Sequence, residues 1–216
     1  MIITLDGPAG SGKSTAARRL ADELGFRFLN TGAMYRAVGL LCEQSGTDLT
    51  DADACGRTAA SAQLVQTGDR LSVNGEDWTA LVRSPAAATA ASAVAVHPPV
   101  RTALVALQRT VGAAGDTVTE GRDQGTIVFP DAALKVFLTA DAEARAERRW
   151  RELRETDANV PLADVLAEVR DRDARDERRS AAPLIPAADA VRYDTTGKPL
   201  ETVVADLVAL ARERGA

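Results

Sequence analysis

A glycine-rich loop set directly behind a short apolar strand constrains this chain more than any other feature. Ile2, Ile3, Thr4 and Leu5 form a run that closes on Asp6, and Gly7-Pro8-Ala9-Gly10-Ser11-Gly12-Lys13-Ser14 follows at once. This is a complete G-x-x-x-x-G-K-[ST] pattern. Beyond Thr15, Ala16, Ala17, Leu20, Ala21 and Leu24 recur at helical spacing, with Gly25 placed to end the helix. Strand, loop and helix in that order let backbone N–H groups converge on a phosphate chain, with the positive end of the helix behind them. Lys13 is then expected to reach the β- and γ-phosphates, and the Ser14 hydroxyl to ligate Mg²⁺. The expected nucleotide-binding set is Gly7, Pro8, Ala9, Gly10, Ser11, Gly12, Lys13, Ser14 and Thr15, and the ligand a nucleoside triphosphate such as ATP.

The rest of the chain continues an α/β rhythm and interrupts it once. A second strand over 26–29 and a helix over 31–43 complete a β-turn-α-β-α opening, the start of a parallel sheet. Residues 45–97 then differ, with a helix expected over 51–65, a hairpin around Asn74-Gly75 and a small-residue helix over 86–96. We read this stretch as an inserted subdomain. The α/β pattern resumes with a long helix over 100–111 behind Pro98-Pro99, strands over 117–120 and 134–138, and a helix over 142–155. A highly charged helix over 162–179, a strand over 190–194 and a helix over 200–214 close the chain.

Composition narrows the partners. A net charge of −5 gives no cationic face for nucleic acid or a membrane surface. No apolar run approaches the ~20 residues of a bilayer span, and Met1 to Leu5 has no basic flank of the kind that opens a signal peptide. The expected address is cytoplasmic. Of 26 basic residues only Lys13, Lys135 and Lys198 are lysine, a bias set chiefly by genome composition. Cys42 and Cys55 are too few for a disulfide framework or metal cluster and read as reduced core residues. His97 is the single histidine, which excludes any mechanism needing a histidine pair.

Three further segments carry chemistry. Asn30-Thr31-Gly32-Ala33-Met34-Tyr35-Arg36 lies just past the second strand, where Arg36 is suited to fork an acceptor phosphate. Glu120-Gly121-Arg122-Asp123-Gln124-Gly125-Thr126 follows another strand, at the edge where α/β sheets place ligands. There Arg122 offers a phosphate contact, and Asp123 an acceptor for an exocyclic amine. In Arg170-Asp171-Arg172-Asp173-Ala174-Arg175-Asp176-Glu177-Arg178-Arg179, residues 172, 175/176 and 179 share one helix face. The segment reads either as a solvated, salt-bridged helix or as a lid that brings arginines to a transferring phosphoryl group, with Arg145, Arg148 and Arg149 at the lid's base.

Taken in series, DGPAGSGKST, NTGAMYR, SPAAATAASAVAVHPPVR, EGRDQGTIVFPDA, RDRDARDERR and APLIPAADA resemble the bacterial cytidylate kinases along essentially the whole chain. The resemblance implies a nucleoside monophosphate kinase fold: an α/β three-layer P-loop fold with a five-stranded parallel sheet, an inserted NMP-binding subdomain and a short helical lid. It places the core at about 1–36, 98–150 and 184–216, the insert at about 37–97 and the lid at about 151–183. It implies transfer of the γ-phosphoryl of ATP to CMP or dCMP by a monomer, with catalysis by Lys13, Arg122, Arg172 and Arg179. Thr31 would bond the acceptor, Arg36, Arg122 and Arg179 would hold its phosphate, Ser92, Arg101 and Asp123 would read cytosine, and Arg172 with Asp176 would meet the sugar. Thr31 stands where the family more often has Ser, and Gln124 where it carries Met or Ile. The competing readings are another P-loop small-molecule kinase, for UMP, AMP or shikimate, and a P-loop regulatory switch.

Overall fold

A computed structural model describes residues 1–155, 160–177 and 182–216. The chain divides into two compact units, one of residues 1–25 with 120–216 and the other of residues 26–119.

The first unit begins with β1 (Ile2–Asp6) and α1 (Lys13–Leu24). After β6 (Thr117–Gly121), whose last two residues belong to this unit, come β7 (Leu134–Thr139), α6 (Ala142–Glu155), α7 (Leu162–Glu177), β8 (Val191–Asp194) and α8 (Leu200–Glu213). β1 runs parallel to β7 and β7 to β8, with Ile3 opposite Leu134 and Val136 opposite Val191. The five parallel strands of the main sheet follow the order β2-β6-β1-β7-β8. β1 is buried at every residue from Ile3 to Asp6. Continuous burial is what a central parallel strand covered on both faces requires, and it explains the unbroken apolar run.

The second unit holds β2 (Arg27–Asn30), α2 (Thr31–Gln44), α3 (Ala52–Ser61), α4 (Pro85–Val94) and α5 (Pro98–Ala113). A three-stranded antiparallel sheet of β3 (Leu64–Thr67), β4 (Arg70–Val73) and β5 (Glu76–Asp77) lies among them in sequence. The expected helix over 51–65 is corrected here. It ends at Ser61, and Leu64 and Val65 enter β3, where Leu64 pairs with Val73. Alternation decides the matter: Leu64 is buried and Val65 exposed, a period of two that the alanine-rich stretch before them masks. The Asn74-Gly75 hairpin is present, with left-handed φ of 51° and 88° at the two turn residues and Val73 opposite Glu76. Leu29, Met34, Val38, Cys42, Cys55, Trp78 and Leu104 share this unit's apolar core, and both cysteines are free thiols.

Close helix contact shapes the second unit. A Cβ added at Gly39 of α2 would stand 2.7 Å from the carbonyl carbon and 2.8 Å from the Cβ of Ala90 on α4. Only glycine lets the two helices approach this far. Gly39→Val should therefore force them apart, an overpacking cost of roughly 1–3 kcal/mol. For a chain of this length that lowers Tm by about 3–10 °C. An unchanged melting curve would mean that this contact is not tight.

Candidate functional site

The first unit gathers charge around the glycine loop. Gly10 and Gly12 hold φ of 76° and 83°, backbone that side chains with a Cβ resist, and Gly12 directly precedes the first turn of α1. Lys13 is 7% exposed, and its Nζ donates to the Pro8 carbonyl at 3.2 Å. Burial pushes the Lys13 ammonium from 10.5 down to about 7; Arg122 and Arg172 push it the same way, while Glu120 and Asp176 oppose them. Glu120 Oε2 lies 3.9 Å from the ammonium. Arg122 Nε donates to Asp176 Oδ2 at 2.9 Å. Lys13, Arg122, Arg172, Glu120 and Asp176 therefore form one cluster, with three cations beside the phosphate loop.

That cluster suits a polyphosphate. A negative group beside Lys13 would favour its charged state, because an opposite charge at close range opposes the burial and like charges that depress it. The Ser11 hydroxyl oxygen is buried and has no hydrogen-bond partner among the described residues, so a phosphate oxygen would satisfy it. For a hard divalent cation the candidate ligands are the Ser14 hydroxyl, exposed on the first turn of α1, and the Glu120 carboxylate. No group of three or more His, Cys, Asp or Glu is arranged to hold a metal among the described residues.

Asp6 went unassigned in the sequence reading, although a carboxylate closing an apolar strand is itself a signal. Its two oxygens accept the backbone N–H groups of Gln124 and Gly125 at 2.9 and 2.7 Å. Those residues open a π-helical turn, Gln124–Val128, which the sequence pattern also did not show; its closing bond is Phe129 N–H to Gln124 O at 2.7 Å. π-turns often mark functional sites, and this one begins immediately after Asp123. Asp123 is 5% exposed, and the Gln124 side-chain amide reaches to 3.5 Å from Asp123 Oδ1. Asp6 thus ties the residue before the phosphate loop to the backbone that carries Asp123.

The arginines expected at the base of a lid lie on α6, and each has its own partners. Arg145 donates to the Ala9 and Ala140 carbonyls and to the Asp173 carboxylate. Arg148 donates to Gly10 O and Thr195 O, and Arg149 pairs with Glu152 at the surface. On α7 the charges sort by face: Asp176 is buried, Arg172 and Asp173 are partly buried, and Arg170, Asp171 and Arg175 are exposed. Arg179 lies outside the described residues.

The second unit carries the remaining candidates. Thr31 opens α2 and is buried, behind the cap Asn30, whose side chain accepts the Ala33 N–H at 2.9 Å. Arg36 folds back along the same helix, its Nη1 3.3 Å from where a Cβ on Gly32 would stand. Arg101 of α5 donates to the Tyr35 hydroxyl at 3.3 Å, a partner visible in the sequence only as one letter of NTGAMYR. Ser92 of α4 donates to the Ala88 carbonyl of its own helix at 3.0 Å.

A sequence model of the family described as cytidylate kinase matches residues 3–213. The chain belongs to the cytidylate kinase family. It is 47% identical over 212 residues to the cytidylate kinase of Pelotomaculum thermopropionicum, covering 96% of this chain and 94% of that protein. It is 44% identical over 207 residues to the cytidylate kinase of Cupriavidus pinatubonensis, covering 96% of this chain and 94% of the relative. A solved gluconokinase from Sinorhizobium meliloti 1021 aligns over 98% of this chain and 92% of its own, with a TM-score of 0.51 and 18% identity. That likeness speaks to the P-loop kinase fold alone. As a member of this kinase family the chain is a phosphotransferase with ATP as phosphoryl donor. Among the described residues no single helix of this kinase is long and apolar enough to cross a membrane.

Burial raises the Asp6 carboxyl from 3.8 to about 6, with Asp123 adding to the rise and the Gln124 and Gly125 N–H groups and Lys13 opposing it. In the window between those values the folded chain holds the proton that the unfolded chain has released, so stability falls as pH climbs from about 4 to 6. The size is about 3 kcal/mol. Asp6→Asn carries no such proton. Its stability relative to the parent, measured by urea unfolding at several pH values, should improve across this window. A pH-independent difference would contradict the buried, ionising carboxylate.

Proposed function

We propose that this kinase transfers the γ-phosphoryl group of ATP to the 5′-phosphate of CMP and dCMP, giving CDP and dCDP. The observation that carries the reading is at the end of β6. There Arg122, one of the cations around Lys13, is followed directly by the buried carboxylate of Asp123. A guanidinium for the acceptor phosphate and a carboxylate for the base are thus offered by adjacent residues.

In this reading the loop backbone from Gly7 to Gly12 cradles the donor phosphates, with Ser11, Ser14 and Thr15 adding hydroxyl contacts, and Lys13 holds the β- and γ-phosphates. Ser14, with the Glu120 carboxylate as a further candidate, would hold Mg²⁺, which would supply neutralisation of phosphate charge. Thr31, Arg36, Arg122 and Arg179 hold the acceptor phosphate, and the Arg122 side chain is oriented by its bond to Asp176. Arg172 faces the charge that spreads over the transferred group, and Arg172 with Asp176 meets the sugar. Fixed charges aimed at the transferring phosphoryl are most of what such a reaction needs. No strong base is required, because the attacking phosphate oxygen is already anionic. The division into core, NMP-binding insert and lid belongs to the same proposal, as does action as a cytoplasmic monomer.

Base choice rests on donor and acceptor pattern. Cytosine offers an amino group to Asp123 and its N3 and O2 acceptors to Arg101, with Ser92 alongside. Uracil turns an oxygen toward the carboxylate and leaves it unsatisfied. Asp123→Ala removes a charged hydrogen bond, so kcat/KM for CMP should fall about 10- to 150-fold, with a much smaller loss for UMP. Arg36→Ala should weaken both alike, since both carry the same phosphate. The quantity to compare is the CMP-to-UMP ratio in the two variants. A ratio changed by Arg36→Ala and unmoved by Asp123→Ala would sink this division of labour.

A further inference from the structure

We propose that Arg145 and Asp173 form a positioning pair that sets the phosphate loop from its carbonyl side and makes donor binding depend on the placement of α7. The proposal rests on the reading of residues 7–14 as the donor site and uses nothing of the acceptor.

Arg145 is 4% exposed, and the structure gives its guanidinium four bonds. Nε donates to Ala140 O at 2.8 Å, and Nη1 donates to Ala9 O at 3.1 Å. Nη1 and Nη2 also fork the Asp173 carboxylate at 3.0 and 2.6 Å. One planar group therefore joins the end of β7, the middle of the phosphate loop and helix α7. A buried arginine with this geometry is held rigidly, because the carboxylate fixes the plane of the fork.

Peptide planarity turns that rigidity into control of the loop. In a trans peptide the carbonyl and the following N–H point in opposite directions. Holding Ala9 O on Arg145 therefore turns the Gly10 N–H to the other side of the loop. Arg148 does the same for the next peptide by donating to Gly10 O at 3.3 Å, which directs the Ser11 N–H away from α6. The Ser11 N–H in fact reaches toward Pro8 O at 3.4 Å, the carbonyl that also receives the Lys13 ammonium. The Ser11 N–H and the Lys13 ammonium thus converge on one carbonyl of the loop. α6 approaches so closely that a Cβ on Gly10 would sit 3.2 Å from Arg145 Cβ.

Asp173 supplies the link to α7. It lies between Arg172 and Asp176, whose charges act on Lys13. A displaced α7 would withdraw the carboxylate, free the guanidinium plane and loosen the grip on Ala9. The same two helices are also joined by Arg170 and Glu143 at 2.6 Å, but that pair is about 60% exposed and touches no loop atom. It serves as a control for any effect that comes merely from bridging α6 and α7.

Arg145→Lys keeps the charge and loses the fork. Asp173→Asn keeps the shape of a partly exposed side chain and loses the charge, so it guards against a folding failure of the first variant. KM for ATP at saturating acceptor, kcat and Tm would be measured for each, for the double variant and for Glu143→Gln. Arg145→Lys should raise KM for ATP about tenfold or more, and Asp173→Asn should raise it in the same direction. The double variant should be no worse than Arg145→Lys alone, because the residues act as one unit, and Glu143→Gln should leave KM within twofold. Lowered Tm with KM for ATP unchanged would make the pair a plain structural bridge. A rise in Arg145→Lys without one in Asp173→Asn would break the link to α7, and additive losses would make the residues independent; each result overturns the proposal. Absence of ATP turnover in the parent would instead overturn the donor-site reading itself.

Discussion

The burial of one lysine beside two arginines is the constraint on which the rest of this structure depends. Lys13 has almost no contact with solvent, and that burial, with Arg122 and Arg172 adding to it, drives its ammonium down to about 7. Glu120 and Asp176 offset part of that cost, and Asp176 does so while holding Arg122 by its Nε. Taking a charge out of water is costly even when it is partly paired, so such a group is not assembled for stability alone. A bound polyphosphate reverses the balance, turning each like-charge contact into a shared attraction for the ligand. The cost of gathering these cations is thus converted into affinity and into stabilisation of a transferring phosphoryl group.

Around this cluster the first unit is braced from two sides. On one side Asp6 takes the backbone N–H groups of Gln124 and Gly125 and fixes the start of the π-helical turn next to Asp123. On the other, Arg145 and Arg148 take the carbonyls of Ala9 and Gly10. Both devices use charged side chains to hold main chain, which places recognition groups without adding side-chain freedom at the site. Both also carry an energetic cost visible in the structure: Asp6 is a carboxyl whose burial raises it to about 6, and Arg145 is an almost fully buried guanidinium.

Most of the fold was legible because its signals are local. The strand-loop-helix opening, the Asn74-Gly75 turn and the proline-led α5 each follow from residue types whose backbone preferences hold anywhere. The helix expected through Val65 failed because small residues in 52–62 carry little periodicity, so the switch from period 3.6 to period 2 at Leu64 had no contrast against which to show. Lys13, Arg122 and Asp123 could be picked out from motifs. The partners of Asp6, Tyr35, Arg145 and Arg148 could not be read off, because they lie up to 138 positions away in the chain and a single letter does not announce a distant carbonyl. The charged helix left two readings open for a simpler reason: its sequence is dense in both charges, and only packing separates Asp173 and Asp176 from the exposed Arg170 and Arg175.

The central claim is that one cation cluster serves ATP-dependent transfer to a cytosine nucleotide. The most direct measurement is turnover with ATP and equal concentrations of CMP, dCMP, UMP, AMP and GMP, for the parent and Lys13→Ala, with circular dichroism recorded on both. The account predicts that CMP and dCMP are the preferred acceptors and that Lys13→Ala abolishes transfer to all of them while its spectrum matches the parent's. Preference for UMP or a purine nucleotide, or substantial turnover by a folded Lys13→Ala variant, would contradict it.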